Sequence, residues 1–136
     1  MGEKYRLVNR TYIMYHGTTR ANAQSIASTG FRQSADGMLG PGVYLTRSLE
    51  KARRYPINHP EWDKVVIQVQ VNVGRVKAIR RKNHPLQKTW HQHGYDTAWV
   101  PPRCGMVRSG DEEDCVWDPR RIQILHPSLL CPLLWL

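Results

Sequence analysis

The chain has 136 residues, 40% of them apolar, with 20 Lys and Arg against 11 Asp and Glu for a formal net charge of +9. This is enough for one hydrophobic core but not two comfortable ones, and it excludes a disordered chain, so 1–136 reads as a single domain. The longest nearly unbroken apolar stretch, Leu129 to Leu136, is far short of the ~20 residues that span a bilayer, and no repeat, low-complexity segment or signal peptide is found, so no membrane partner is expected.

Residues 1–10 are polar and basic and read as a loose arm. Thr11-Tyr12-Ile13-Met14-Tyr15 is β-branched and aromatic, with a strand expected over Tyr12 to Tyr15. Arg20 to Ser28 places Ala23, Ile26 and Ala27 at helical spacing, and Gly30 is positioned to stop that helix. Arg32 to Pro41 reads as loop, then Gly42 to Thr46 as a short strand. Ser48 is placed to cap a helix from Leu49 to Tyr55 that Pro56 ends.

Lys64 to Val73 is the best strand in the chain, alternating cleanly over its second half. Val76 to Ile79 is a further strand after a turn at Gly74. The spacing allows a short helix near Leu86 to His91. Thr97-Ala98-Trp99-Val100, Cys115-Val116-Trp117 and Ile122-Gln123-Ile124-Leu125 complete the strands. They outnumber the helices without regular βα alternation, so the expected class is α+β with a mostly antiparallel sheet. The core is expected over about 12–125, with an apolar tail at 128–136.

Cys104, Cys115 and Cys131 are odd in number and lack C-x-x-C spacing. A disulfide framework is not expected, and the reducing setting this suggests is cytoplasmic, with the nucleus also open. His84, His91, His93 and Cys104 show no tetrahedral ligand spacing, so no metal is expected. The positive charge favours polyanions or small phosphorylated ligands; the bland alternative is a soluble basic surface. Arg53-Arg54, Arg75-Lys77 and Arg80-Arg81-Lys82 are not interleaved with aromatics, as a single-strand platform requires. They read as a solvated face, one or two of them available to a pyrophosphate.

Two runs carry the chemistry. His16-Gly17-Thr18 follows the first strand, and Gly40-Pro41-Gly42-Val43-Tyr44-Leu45, preceded by Gly37-Met38-Leu39, enters the second. Farther on lies Glu113-Asp114-Cys115-Val116-Trp117-Asp118. Together these resemble the H-G-[ST], G-x-G-[IV]-Y and late-glutamate segments of ADP-ribosyltransferases of the diphtheria-toxin and poly(ADP-ribose) polymerase type. The resemblance covers about Tyr12 to Leu125. The stretch Gly30 to Gly40 also looks like the small virus-inducible antiviral proteins first described in fish as reovirus-induced gene products.

The resemblance implies one compact ADP-ribosyltransferase-like domain with a split, mostly antiparallel sheet, a role in antiviral defence, and NAD as co-substrate. The acceptor, protein or nucleic acid, is left open. His16, Tyr44 and Glu113 become the catalytic trio. His16, Gly17, Thr18, Gly42, Tyr44, Ala52 and Tyr55 become the NAD-binding set, with Tyr55 stacking on nicotinamide and Tyr44 flanking it.

These residue types suit the reaction. Breaking the nicotinamide–ribose bond builds positive charge on the sugar, as in glycoside hydrolysis, and nicotinamide leaves without a general acid. One carboxylate should therefore suffice. Glu113 fits by position, although Glu112 and Asp111 are adjacent and a shift in register would move the role to them. Taken alone, Asp111 to Asp114 reads as a solvated acidic loop. Gly17 would let backbone approach a planar ring, and His16 would bond a ribose hydroxyl on the adenosine side.

Ala52 departs from the family, whose polymerases usually place a carboxamide-binding serine there. The loss amounts to one neutral hydrogen bond, ~1 kcal/mol. The chain also lacks room for the regulatory helical domain of DNA-dependent members, which favours single ADP-ribose transfer over polymer synthesis. Two rival readings stay open: an NAD- or ADP-ribose-binding sensor without turnover, and an RNA 2′-phosphotransferase-like enzyme using basic residues.

Overall fold

The computed structural model describes residues 10–125. Strand β1 spans Thr11–Thr19 and runs directly into helix α1, Arg20–Thr29. Strand β2, Val43–Leu45, precedes helix α2, Leu49–Arg53. Strands β3 (Lys64–Asn72), β4 (Val76–Ala78), β5 (Thr97–Val100), β6 (Glu113–Val116) and β7 (Ile122–Ile124) follow.

The strands form two sheets, ordered β1-β3-β7 and β2-β6-β5-β4. Every pairing is antiparallel except β4 with β5. This is the mostly antiparallel α+β arrangement that the strand count implies, split into two sheets as the resemblance implies.

Strand β1 reaches four residues beyond Tyr15 because the period-two alternation continues through polar side chains. Tyr12, Met14, His16 and Thr18 lie opposite Val71, Val69, Ile67 and Val65. Met14, Ile67, Val69 and Val71 are fully buried, together with Val43, Leu45 and Val116 of the second sheet. Each such side chain contributes about 1.5–3 kcal/mol by leaving water. The register therefore fixes which β1 residues face the second sheet, and His16 is one of them.

Local chemistry sets the helix ends. Thr19 Oγ1 accepts from Asn22 N at 3.2 Å and opens α1. Gly30, at φ 87°, donates its N–H to Ile26 O and closes it. Ser48 Oγ accepts from Lys51 N at 3.1 Å and opens α2. That helix stops at Arg53, two residues before the expected end.

A second core lies on the far face of the β2-β6-β5-β4 sheet, built from Leu39, Ile79, Trp90, Ala98, Val100, Met106 and Cys115. No α-helix forms over 86–91; turns lead into a 3-10 turn at Trp90–His93. The segment is held by its contacts instead. Trp90 Nε1 donates to Leu39 O at 2.7 Å, and Gln87 Nε2 donates to Met38 O at 2.9 Å. It thereby buttresses the glycine-rich loop before β2. Among the described residues no helix is long and apolar enough to cross a membrane. The expected tail at 128–136, with Cys131, lies outside the described residues.

Candidate active site

A cleft of about 130 Å³ opens where β1, β2, α2 and β6 meet, lined by Tyr15, His16, Gly17, Tyr44, Leu45, Thr46, Lys51, Ala52, Tyr55 and Glu113. A groove of about 290 Å³ shares His16 and Tyr44 with it and continues along α1 past Thr18, Asn22, Phe31 and Arg32. Six of the eight residues singled out in the sequence therefore line the cleft. Thr18 lines the groove instead. Gly42 lines neither: a side chain there would collide with Cys115 Sγ, so its glycine lets β2 pack on β6.

His16 Nδ1 donates to the Tyr44 carbonyl at 3.0 Å, and its ring meets Phe31 edge-on at 5.3 Å. Burial lowers its pKa, only partly opposed by the Tyr44 hydrogen bond, so the ring is neutral. With Nδ1 carrying the proton, Nε2 is an acceptor and suits a ribose hydroxyl.

The Tyr44 hydroxyl donates to Gly40 O at 2.5 Å and accepts from Leu39 N at 2.9 Å. Burial and then the nearby Cys115 raise its pKa, against the opposing Leu39 N–H. The hydroxyl thus pins the glycine loop, and the ring forms the wall shared by cleft and groove. At Gly37 a β-carbon would lie 2.6 Å from that ring. Cys115 behind it is an inert thiol, pushed up to about 12 by burial.

Gly17 has a reason for its identity that the sequence did not show. A side chain there would run into the Ala52 carbonyl, and Tyr55 Cβ lies 3.1 Å from the same point. The glycine is what lets α2 lie against β1 and bring Ala52 and Tyr55 to the cleft. Tyr55 is 40% exposed at the mouth, with its ring available for stacking.

The acidic run is not a solvated loop, because each carboxylate has a different task. Asp111 pairs with Arg54 at the rim. Glu112 is buried and accepts from Thr46 Oγ1 at 2.7 Å, Arg47 N at 2.5 Å, and Arg47 Nε and Trp99 Nε1 at 3.1 Å each. Burial pushes it up, but hydrogen bonds from Asp114, Arg47 and Thr46 outweigh that and hold it below the usual carboxylate range. Its lone pairs are spent on the scaffold. Glu113 is the carboxylate that reaches the cleft, and the 5%-exposed Lys51 holds its Oε1 at 2.5 Å.

Lys51 also donates to Glu112 O at 3.2 Å. No local pattern points to this lysine's place, since its partner lies 62 positions away. Among the described residues no group of three or more His, Cys, Asp and Glu is placed to hold a metal ion.

The poly(ADP-ribose) polymerase catalytic domain model matches residues 2–101. The chain belongs to that family. No match was found among curated proteins. Membership brings ADP-ribosyltransferase chemistry with NAD as substrate. The family match ends before β6, so Glu113 is brought to this polymerase-type cleft by the strand register alone: Val100 opposite Glu113, and Tyr44 opposite Cys115.

Proposed function

We propose that this chain is a mono-ADP-ribosyltransferase that binds NAD across the cleft and the α1 groove. The observation carrying this reading is the convergence of His16, Tyr44 and Glu113 on one cavity from three separate strands. NAD itself supplies a cationic leaving group. Gly17 backbone and the Tyr55 and Tyr44 rings hold the planar nicotinamide end, while His16 Nε2 accepts a hydroxyl of the adenosine-side ribose in the groove.

Glu113 carries the chemistry. Its carboxylate stabilises positive charge developing on the reacting ribose and polarises the attacking hydroxyl or side chain. Lys51 fixes the rotamer of that carboxylate, which saves reorganisation when charge develops. The small cleft and the likeness of Gly30 to Gly40 to virus-inducible proteins support single transfers in antiviral defence in the cytoplasm.

NAD carrying a labelled adenylate tests the reading. Labelled acceptor and released nicotinamide are expected from the wild-type chain and are absent with Glu113→Ala. If wild type releases no nicotinamide and labels neither protein nor nucleic acid, the catalytic claim fails. Ala52 favours a second reading, NAD binding without turnover. Saturable NAD-dependent thermal stabilisation, lost in His16→Ala and unaccompanied by nicotinamide release, identifies that case.

A further inference from the structure

The positive charge of this chain is not spread evenly. Residues 75–108 hold eight of the twenty Lys and Arg but one of the eleven Asp and Glu, a surplus of seven in a chain whose total surplus is nine. That lone acid, Asp96, is bound to Arg121 at 3.3 Å and accepts the Arg75 backbone N–H. Lys88 is paired with Asp36. Besides Arg103 and Arg108, which lie in a later loop, five remain: Arg75, Lys77, Arg80, Arg81 and Lys82, and among the described residues none of the five has a carboxylate partner.

The fold gathers these five at one place. Among the described residues strand β4 is the outer strand of its sheet, paired only with β5. Arg75 and Lys77 both lie over the Tyr95 ring, at 4.7 and 5.7 Å from its centroid. Arg80, Arg81 and Lys82 follow on the exposed turn after β4. His84 beside them is pushed down by partial burial and then by the charges of Lys77 and Arg81, which places those two cations within mutual reach. Tyr95 is thus the aromatic missing from the local sequence, supplied from about twenty positions away.

We propose that this open edge of the second sheet is a docking surface for a nucleic-acid strand, held through its phosphates by Arg75, Lys77, Arg80, Arg81 and Lys82. Uncompensated cations self-repel, and a partner with closely spaced negative charge relieves that cost. Three of the five are arginines, whose forked guanidinium matches phosphate oxygens two at a time. A membrane surface fits less well, because it rewards apolar insertion. Among the described residues the exposed large apolar side chains, Ile13, Tyr55, Ile57 and Trp62, all lie outside this patch.

The patch is separate from the NAD cleft. Strand β4 lies two strand spacings, about 10 Å, from β6 and Glu113. A strand docked there would sit beside the cleft rather than in it, and its binding requires neither NAD nor turnover.

Fluorescence anisotropy with a short labelled oligouridylate, without NAD, tests the proposal, with DNA and duplex RNA of the same length as competitors. Neutralising four or five phosphates predicts a slope of log affinity against log salt of roughly −3. Arg80→Ala/Arg81→Ala/Lys82→Ala should weaken binding at least tenfold and bring the slope to about −1. A control triple, Arg20→Ala/Lys64→Ala/Arg120→Ala, removes equal charge elsewhere and should stay within about twofold of wild type. Circular dichroism checks that both triples fold.

Equal binding by the two triples, or a flat salt dependence, overturns the proposal; the lysines and arginines then only guard an edge strand against pairing. Patch-dependent binding to phosphatidylserine vesicles or polyglutamate that no oligonucleotide displaces overturns it as well.

Discussion

Glu112 and Glu113 are chemically identical neighbours whose surroundings give them opposite work. Glu112 accepts from Thr46, Arg47 and Trp99 and ties β2, β5 and β6 together. Glu113 faces the cleft and leans on Lys51. Glu112→Gln should therefore cost stability, about 1–3 kcal/mol for leaving buried donors poorly matched, visible as a lower Tm. Glu113→Gln removes the charge partner of the buried Lys51 and should also lower Tm, but it alone should reduce nicotinamide release per folded molecule by about 100-fold or more. If Glu112→Gln causes that loss of release instead, the assignment of the carboxylates is wrong. His16 gives a second prediction. Its folded pKa lies below the usual 6.5, so the native state binds fewer protons there than the unfolded chain. The stability it contributes is present above about pH 6.5 and is lost as pH falls through the lowered value. NAD affinity, followed by titration calorimetry, should be level from neutral pH down to about 6.5 and fall only below it. A decline beginning above pH 7 would show that His16 does not accept from the ribose.

At the level of elements the site is the seam between β1 and α2. Much of that seam was legible in the sequence. The Thr19-to-Gly30 helix, the Ser48 cap and the alternation of β3 all rest on local spacing, which single residues reveal. His16-Gly17 and Gly42-Val43-Tyr44 were likewise visible as runs. What stayed hidden depends on long-range register: Lys51 against Glu113, Trp90 behind Leu39, Tyr95 among the arginines. Taken alone the acidic run reads as solvated because the partners of its carboxylates, Arg54, Arg47, Lys51 and the buried sheet interior, come from elsewhere. Gly17 is the sharpest case, since its necessity comes from the Ala52 carbonyl above it. Gly17→Ala should lift α2 off β1, cost about 1–3 kcal/mol in denaturant unfolding and abolish NAD-dependent thermal stabilisation. Retained NAD stabilisation would mean that α2 does not form the nicotinamide end. Ala52→Ser, which restores the family's hydroxyl, should tighten nicotinamide about fivefold in competition binding, the worth of one neutral hydrogen bond.

Across the whole molecule the most deeply buried acids among the described residues are a pair, Glu112 and Asp114, inside the second sheet. Asp114 lies between Leu45 and Trp99 in the second sheet, 3% exposed, and one of its oxygens has no donor. Burial, then the hydrogen bond and charge of Glu112, raise its pKa well above 3.8, with Arg47 opposing and Glu113 adding to the rise. Its raised pKa favours the protonated form in the native state beside the Glu112 carboxylate, which is held low, so the two acids titrate as a coupled pair. The unfolded chain releases that proton near pH 3.8, whereas the native chain holds it. Native protein therefore binds more protons across the window from about 3.8 up to the raised value, and its stability falls as pH climbs through that window, by up to about 1.4 kcal/mol per pH unit. Asp114→Asn offers Glu112 an N–H donor of similar shape without any proton uptake. The variant should melt higher than wild type at pH 8, and the gap should close as pH is lowered toward 4, as measured by thermal unfolding at several pH values. A variant that melts below wild type at pH 8 with an unchanged pH slope would show that Asp114 is ionised in the native state, and that Arg47 rather than a shared proton steadies the pair.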